Sequence, residues 1–101
     1  MVKHIVIWKL KEFALGNDKA ANALLVKEKL ESLNGKIPGL LRLEVGIDFL
    51  QAESSGDIVL YSELENREAL SVYQEHPLHK EAGLFVREVV CGRSSADFEI
   101  G

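Results

Sequence analysis

The stretch Tyr73-Gln74-Glu75-His76-Pro77-Leu78-His79 divides the second helical region of this 101-residue chain. A proline ring clashes with the preceding helical turn and lacks an N–H group, so we expect one helix to stop near His76. Proline suits the first turn of a helix, so another should start at Pro77. The break should gather Tyr73, His76 and His79, which can donate, accept or move protons, at one corner. We therefore expect one wall of a functional site here.

Two alternating segments before this stretch predict an antiparallel hairpin. Leu41 to Phe49 is apolar at every second position, which is the period of a strand with one covered face. Asp57 to Leu64 is predicted as the next strand, and the polar residues 51–56 connect the two. Asn66 is the expected N-cap of the helix that leads into the broken stretch.

The N-terminal third of the chain predicts a strand followed by a helix. Val2 to Lys11 alternates, and four residues share one face: His4, Val6, Trp8 and Leu10. Residues 12–16 form a connection, and Asn17 or Asp18 caps the helix. Apolar residues repeat at helical spacing from Lys19 to Leu33, and Asn34-Gly35 ends that helix.

Beyond the broken stretch we expect a short helical segment, Pro77 to Gly83, then a last strand from Phe85 to Arg93 and a tail from Ser94 to Gly101. The element order is then βαββαβ. This order predicts one α+β domain over residues 1–101, with a ferredoxin-like fold and a four-stranded antiparallel sheet that has its helices on one face.

Composition restricts the class of partner. A net charge of −4 argues against nucleic acid, which requires a basic patch. No apolar stretch approaches the roughly 18 residues of a membrane span. The single cysteine, Cys91, is expected to be a small core residue and allows no internal disulfide, which is compatible with the cytoplasm.

The sheet should bring two copies of the chain together. Ile5 and Ile7 lie on the strand face opposite Val6 and Trp8, and the helices can cover only one face. Monomers rarely leave an apolar patch of this size in water. We therefore expect a homodimer that forms through the open sheet face.

Several segments together resemble the stress-responsive A/B barrel (Dabb) family. They are Val2-Lys3-His4, Lys36-Ile37-Pro38-Gly39-Leu40, Asp57-Ile58-Val59-Leu60-Tyr61-Ser62, the Tyr73–His79 stretch and Ala96-Asp97-Phe98. The resemblance implies a homodimer in which two sheets form one α/β barrel, with the C-terminal strand reaching across to the partner chain.

The resemblance also implies candidate site residues. A plant member of the family closes a linear polyketide with proton-transfer groups that match His4, Tyr73 and His79. A further tyrosine on the first helix of that cyclase has no counterpart at positions 17–34. In this sequence His79 would act as base, Tyr73 as hydrogen-bond donor and His4 as the group that orients them. The residues expected to line the cavity around them are Val6, Trp8, Leu30 and His76.

Three interpretations of the trio remain open. A module that binds a small apolar or aromatic molecule is one, and a cofactor-free lyase, cyclase or monooxygenase is another. The trio could instead fasten the helix break to the sheet through hydrogen bonds. His76 and His79 have the spacing of zinc ligands but lack a carboxylate pattern, so neither a metal nor a cofactor is expected.

Overall fold

The computed structural model describes residues 1–101 and has the predicted ferredoxin-like α+β architecture. Its elements are β1 (Val2–Leu10), β2 (Phe13–Ala14), β3 (Asn17–Asp18), α1 (Lys19–Glu31), β4 (Leu40–Ile47), β5 (Ile58–Leu64), α2 (Arg67–Glu75), α3 (Pro77–Val89) and β6 (Val90–Glu99). No helix combines the length and the apolar character needed to cross a membrane.

The main sheet is antiparallel, with strand order β4-β5-β1-β6. On β1, Val6 and Trp8 are buried beneath the helices, whereas Ile7 on the other face is 43% exposed. Ile5 pairs with Tyr61 on one side and with Ala96 on the other. The predicted separation of a helix-covered face from an open apolar face is therefore confirmed.

The predicted helix break at His76-Pro77 is confirmed, but the helix after it is longer than expected. Helix α3 continues to Val89, so the prediction of a strand from Phe85 to Arg93 is wrong over its first half. The buried residues Ala82, Val86 and Val89 follow helical spacing, and their packing against the sheet outweighs the strand preference of valine.

The last strand, β6, begins inside the predicted strand and continues through residues 94–99, which were predicted to be a tail. It pairs with β1 of the same chain, from the pair Leu10 and Val90 to the pair Val2 and Glu99. One edge of β6 is therefore hydrogen-bonded to β1, and the other edge is free. A contact of this strand with a partner, as the resemblance implies, would use the free edge. Cys91 is exposed on this edge strand, so its assignment to the core is wrong.

Smaller differences occur where turns redirect the backbone. The predicted alternation from Leu41 to Phe49 holds only in part, because the register shifts beside Leu41 and the strand ends at Ile47. Leu41 is exposed and Phe49 lies almost wholly in solvent. The predicted connection at residues 12–16 contains part of a two-strand hairpin, and Asp18 caps α1 by accepting a hydrogen bond from the Ala21 N–H at 2.9 Å.

Candidate functional site

A cavity of about 280 Å³ lies between the sheet and the helices. Its walls come from the strands β1, β5 and β6 and from the three helices. The lining residues are His4, Val6, Trp8, Leu30, Leu60, Tyr73, His79, Gly83, Val86, Arg87, Val90 and Arg93. Its size lies near the lower end of the range for small-molecule sites, about 300–1,000 Å³, and most of its wall is apolar.

Tyr73 and His79 form one polar wall of this cavity. The helix break places their rings 4.3 Å apart between centroids. Tyr73 is completely buried, and its hydroxyl has no hydrogen-bond partner within the protein. His79 Nδ1 is also buried without such a partner. Most buried polar atoms in proteins are paired, so two unpaired ones beside one cavity distinguish this wall from an ordinary core.

Burial controls the protonation of both groups. It lowers the pKa of His79 below the ordinary histidine value. The Gln74 backbone partly opposes this shift, and electrostatic interactions with His4, Arg87 and His76 add to it. It raises the pKa of the Tyr73 hydroxyl. At pH 7 the imidazole is therefore neutral and able to accept a proton, while the phenol keeps its proton and can donate a hydrogen bond.

His4 lies near Tyr73 and is held by Asp97. The rings of His4 and Tyr73 are 6.0 Å apart between centroids, in an edge-to-face arrangement. His4 Nδ1 donates to the Asp97 carboxylate from the neighbouring strand β6. This hydrogen bond orients the imidazole ring of His4. Sequence reasoning missed Asp97 as a site residue because it assigned this segment to a tail.

The structure brings together most of the predicted site residues. Val6, Trp8 and Leu30 line the cavity with the His4, Tyr73 and His79 trio. His76 lies outside the lining. Its Nδ1 accepts a hydrogen bond from the Leu78 N–H at 3.1 Å and so caps α3.

Two arginines in the cavity wall were also missed. Arg87 comes from α3 and Arg93 from β6. The strand predicted over both residues concealed their relation to the Tyr73–His79 stretch. Helical spacing offers one signal, since Arg87 lies two turns beyond His79 on the same helix.

The four-stranded antiparallel sheet, with its helices on one face, places the chain in the class of ferredoxin-like α+β proteins. The chain belongs to the stress responsive A/B barrel domain (Dabb) family, whose model matches residues 2–100. No curated protein matches the chain.

Solved structures share the ferredoxin-like fold. A dimeric protein of unknown function with a ferredoxin-like fold from Bacteroides fragilis is 34% identical, with a TM-score of 0.81 over 98% of this chain and 95% of that one. A dimeric ferredoxin-like protein of unknown function from Thermobifida fusca is 21% identical, with a TM-score of 0.84 over 98% and 90%. An antibiotic biosynthesis monooxygenase shares the fold at 16% identity, with a TM-score of 0.72 over 100% and 99%.

Proposed function

We propose that this protein binds a small apolar or aromatic molecule in the cavity between the sheet and the helices. The observation that supports this function is the pair of buried, unpaired polar atoms, the Tyr73 hydroxyl and His79 Nδ1, in an otherwise largely apolar cavity. An apolar ligand body would contact Val6, Trp8 and Leu30. One hydroxyl or carbonyl on that ligand would pair with the polar wall.

Trp8 provides a direct test, because it is the only tryptophan of the chain and it lines the cavity. We expect p-cresol, an aromatic ring with one hydroxyl, to change the Trp8 fluorescence in a saturable titration. Gly83→Leu should weaken binding by at least about tenfold, since a side chain there would occupy cavity space. The position is open, with only Arg87 Nη1 within 4 Å of an added Cβ, at 3.8 Å.

Leu84→Gln is the matched control, because Leu84 is on the same helix but 61% exposed. This variant should bind p-cresol as the wild type does. The absence of a saturable signal, or equal binding by the Gly83→Leu variant, would contradict the proposed cavity.

A second candidate function is cofactor-free catalysis on a polyketide-like or aromatic substrate. The observation that favours it is the combination, in one cavity, of a neutral imidazole and a protonated phenol. His79 would take a proton beside a substrate carbonyl, Tyr73 would donate to the oxygen that becomes negative, and His4, held by Asp97, would orient the phenol. A cyclase would then join the resulting carbanion to a second carbonyl, whereas a monooxygenase would require dioxygen. The likeness of fold to a monooxygenase is analogy only.

The fate of a bound compound separates the two functions. A binding module returns it unchanged, whereas a cyclase acting on a linear polyketide would release a ring product at a rate that falls as His79 becomes protonated.

We also propose that the protein is a homodimer assembled through the open sheet face. The dimeric relatives support the association, and the composition of this face supports its location. Its centre is apolar, with Ile5, Ile7 and Val59, and its rim is polar. At the rim the Tyr61 hydroxyl donates to Glu63 at 2.5 Å and accepts from Lys3 Nζ at 2.6 Å. An apolar centre with a polar rim is the usual anatomy of a protein interface.

A further inference from the structure

The cavity wall contains two arginines. Arg87 and Arg93 line the cavity, and none of the lining residues is an aspartate or a glutamate. The whole chain nevertheless has a net charge of −4. Two cations concentrated at one concave site of an acidic protein raise the local concentration of anions there.

These two arginines differ from the other two of the chain. Arg42 forms a salt bridge with Glu44 at 3.1 Å and Arg67 forms one with Glu99 at 2.5 Å. Arg93 makes a single side-chain hydrogen bond, to the Ser95 hydroxyl at 3.3 Å, and Arg87 makes none. Most of their N–H donors are therefore free to bind a ligand, and the planar guanidinium group fits a carboxylate with two parallel hydrogen bonds.

The charges sit beside the polar wall already described. The Arg87 Nη1 atom lies over Gly83, one turn beyond His79 on α3, and Gly83 itself lines the cavity. A ligand in this cavity would meet the arginines, the polar wall and apolar side chains together. This arrangement selects both the body of the ligand and the group that it carries.

We infer that the ligand of this cavity is a small carboxylic acid, with an apolar or aromatic body against Val6, Trp8 and Leu30 and its carboxylate on Arg87 and Arg93. The inference rests on the proposed binding function and specifies its ligand class. Charge supplied by the two guanidinium groups should distinguish the acid from a neutral molecule of the same shape.

The test compares 3-phenylpropionate with 3-phenylpropionamide, which differ in charge but little in shape, by titration of the Trp8 fluorescence. We expect the wild type to prefer the acid by at least about tenfold. Arg87→Gln combined with Arg93→Gln should abolish this preference by weakening binding of the acid far more than binding of the amide, whereas Lys at both positions should retain part of it. Added salt should weaken binding of the acid more than that of the amide. Arg67→Gln, which removes a paired arginine outside the cavity, should behave as the wild type.

Equal binding of acid and amide to the wild type would overturn the carboxylate assignment while leaving the binding function in place. Survival of the preference in the double glutamine variant would also overturn it. If neither probe nor p-cresol binds, the proposed function fails together with the assignment.

Discussion

Ile7→Lys is expected to convert the protein from a dimer to a monomer without unfolding it. Ile7 is on the central strand β1, on the open face, and its side chain is 43% exposed in the single chain. A two-fold interface contains each substitution twice. Losing about 1.5 kcal/mol of apolar burial per copy would raise the dissociation constant more than about a hundredfold, and the unpaired lysine charges would raise it further. Sedimentation equilibrium measures this constant.

Leu24→Lys is the control for this experiment. Leu24 is 61% exposed on α1, away from the open sheet face, so the same change there should leave the dimer intact. The opposite result would be an Ile7→Lys variant with the dissociation constant of the wild type and a Leu24→Lys variant that is monomeric. It would place the interface on the helices and contradict the proposed assembly.

Gly39→Ala should destabilise the fold by roughly 2–4 kcal/mol. Gly39 has φ +81 in the turn between α1 and β4, where the Leu40 N–H donates to the Ile37 carbonyl at 3.2 Å and Pro38 precedes it. An added Cβ would lie 2.6 Å from the Ala69 Cβ and 3.5 Å from its Cα, and these atoms cannot move unless α2 moves. Urea unfolding at fixed protein concentration measures the effect, since the stability of a dimer depends on concentration.

Gly35→Ala separates the two components of this cost. Gly35 has a similar φ of +77, but an added Cβ would meet no atom within 4 Å. It should therefore cost only the backbone term, about 1–2 kcal/mol. Equal losses in the two variants would show that α2 does not press on the turn as described.

The regular parts of the fold could be predicted because their signals are local. The break at His76-Pro77 follows from proline chemistry, and the alternation on β1 follows from burial of one face. The boundary between α3 and β6 could not be predicted, because Val86, Val89 and Val90 suit either structure and only packing against the sheet decides. Nor does β6 have the alternation of a half-buried strand, since nearly all of it is exposed at the sheet edge.

The candidate site shows the same division. The trio on β1 and at the helix break could be predicted from residue type and position. Asp97 reaches His4 only through the pairing of β6 with β1, a contact across 93 positions that no local pattern contains. Arg87 joins the cavity through the helix that was predicted too short, and Arg93 joins it through the strand that follows that helix.

The central claim is that the Tyr73 hydroxyl is kept for a ligand and does not hold the fold together. Urea unfolding of Tyr73→Phe, beside the wild type and Tyr61→Phe, tests it most directly. Tyr61 is the other tyrosine, and its hydroxyl is hydrogen-bonded to Lys3 and Glu63, so Tyr61→Phe should cost about 0.5–1.5 kcal/mol. For Tyr73→Phe we predict a free energy of unfolding equal to that of the wild type or higher by up to about 1 kcal/mol, because the removed hydroxyl has no partner within the protein. A loss of about 1–3 kcal/mol would instead mean that this hydroxyl fastens the helix break to the sheet, and it would contradict the account.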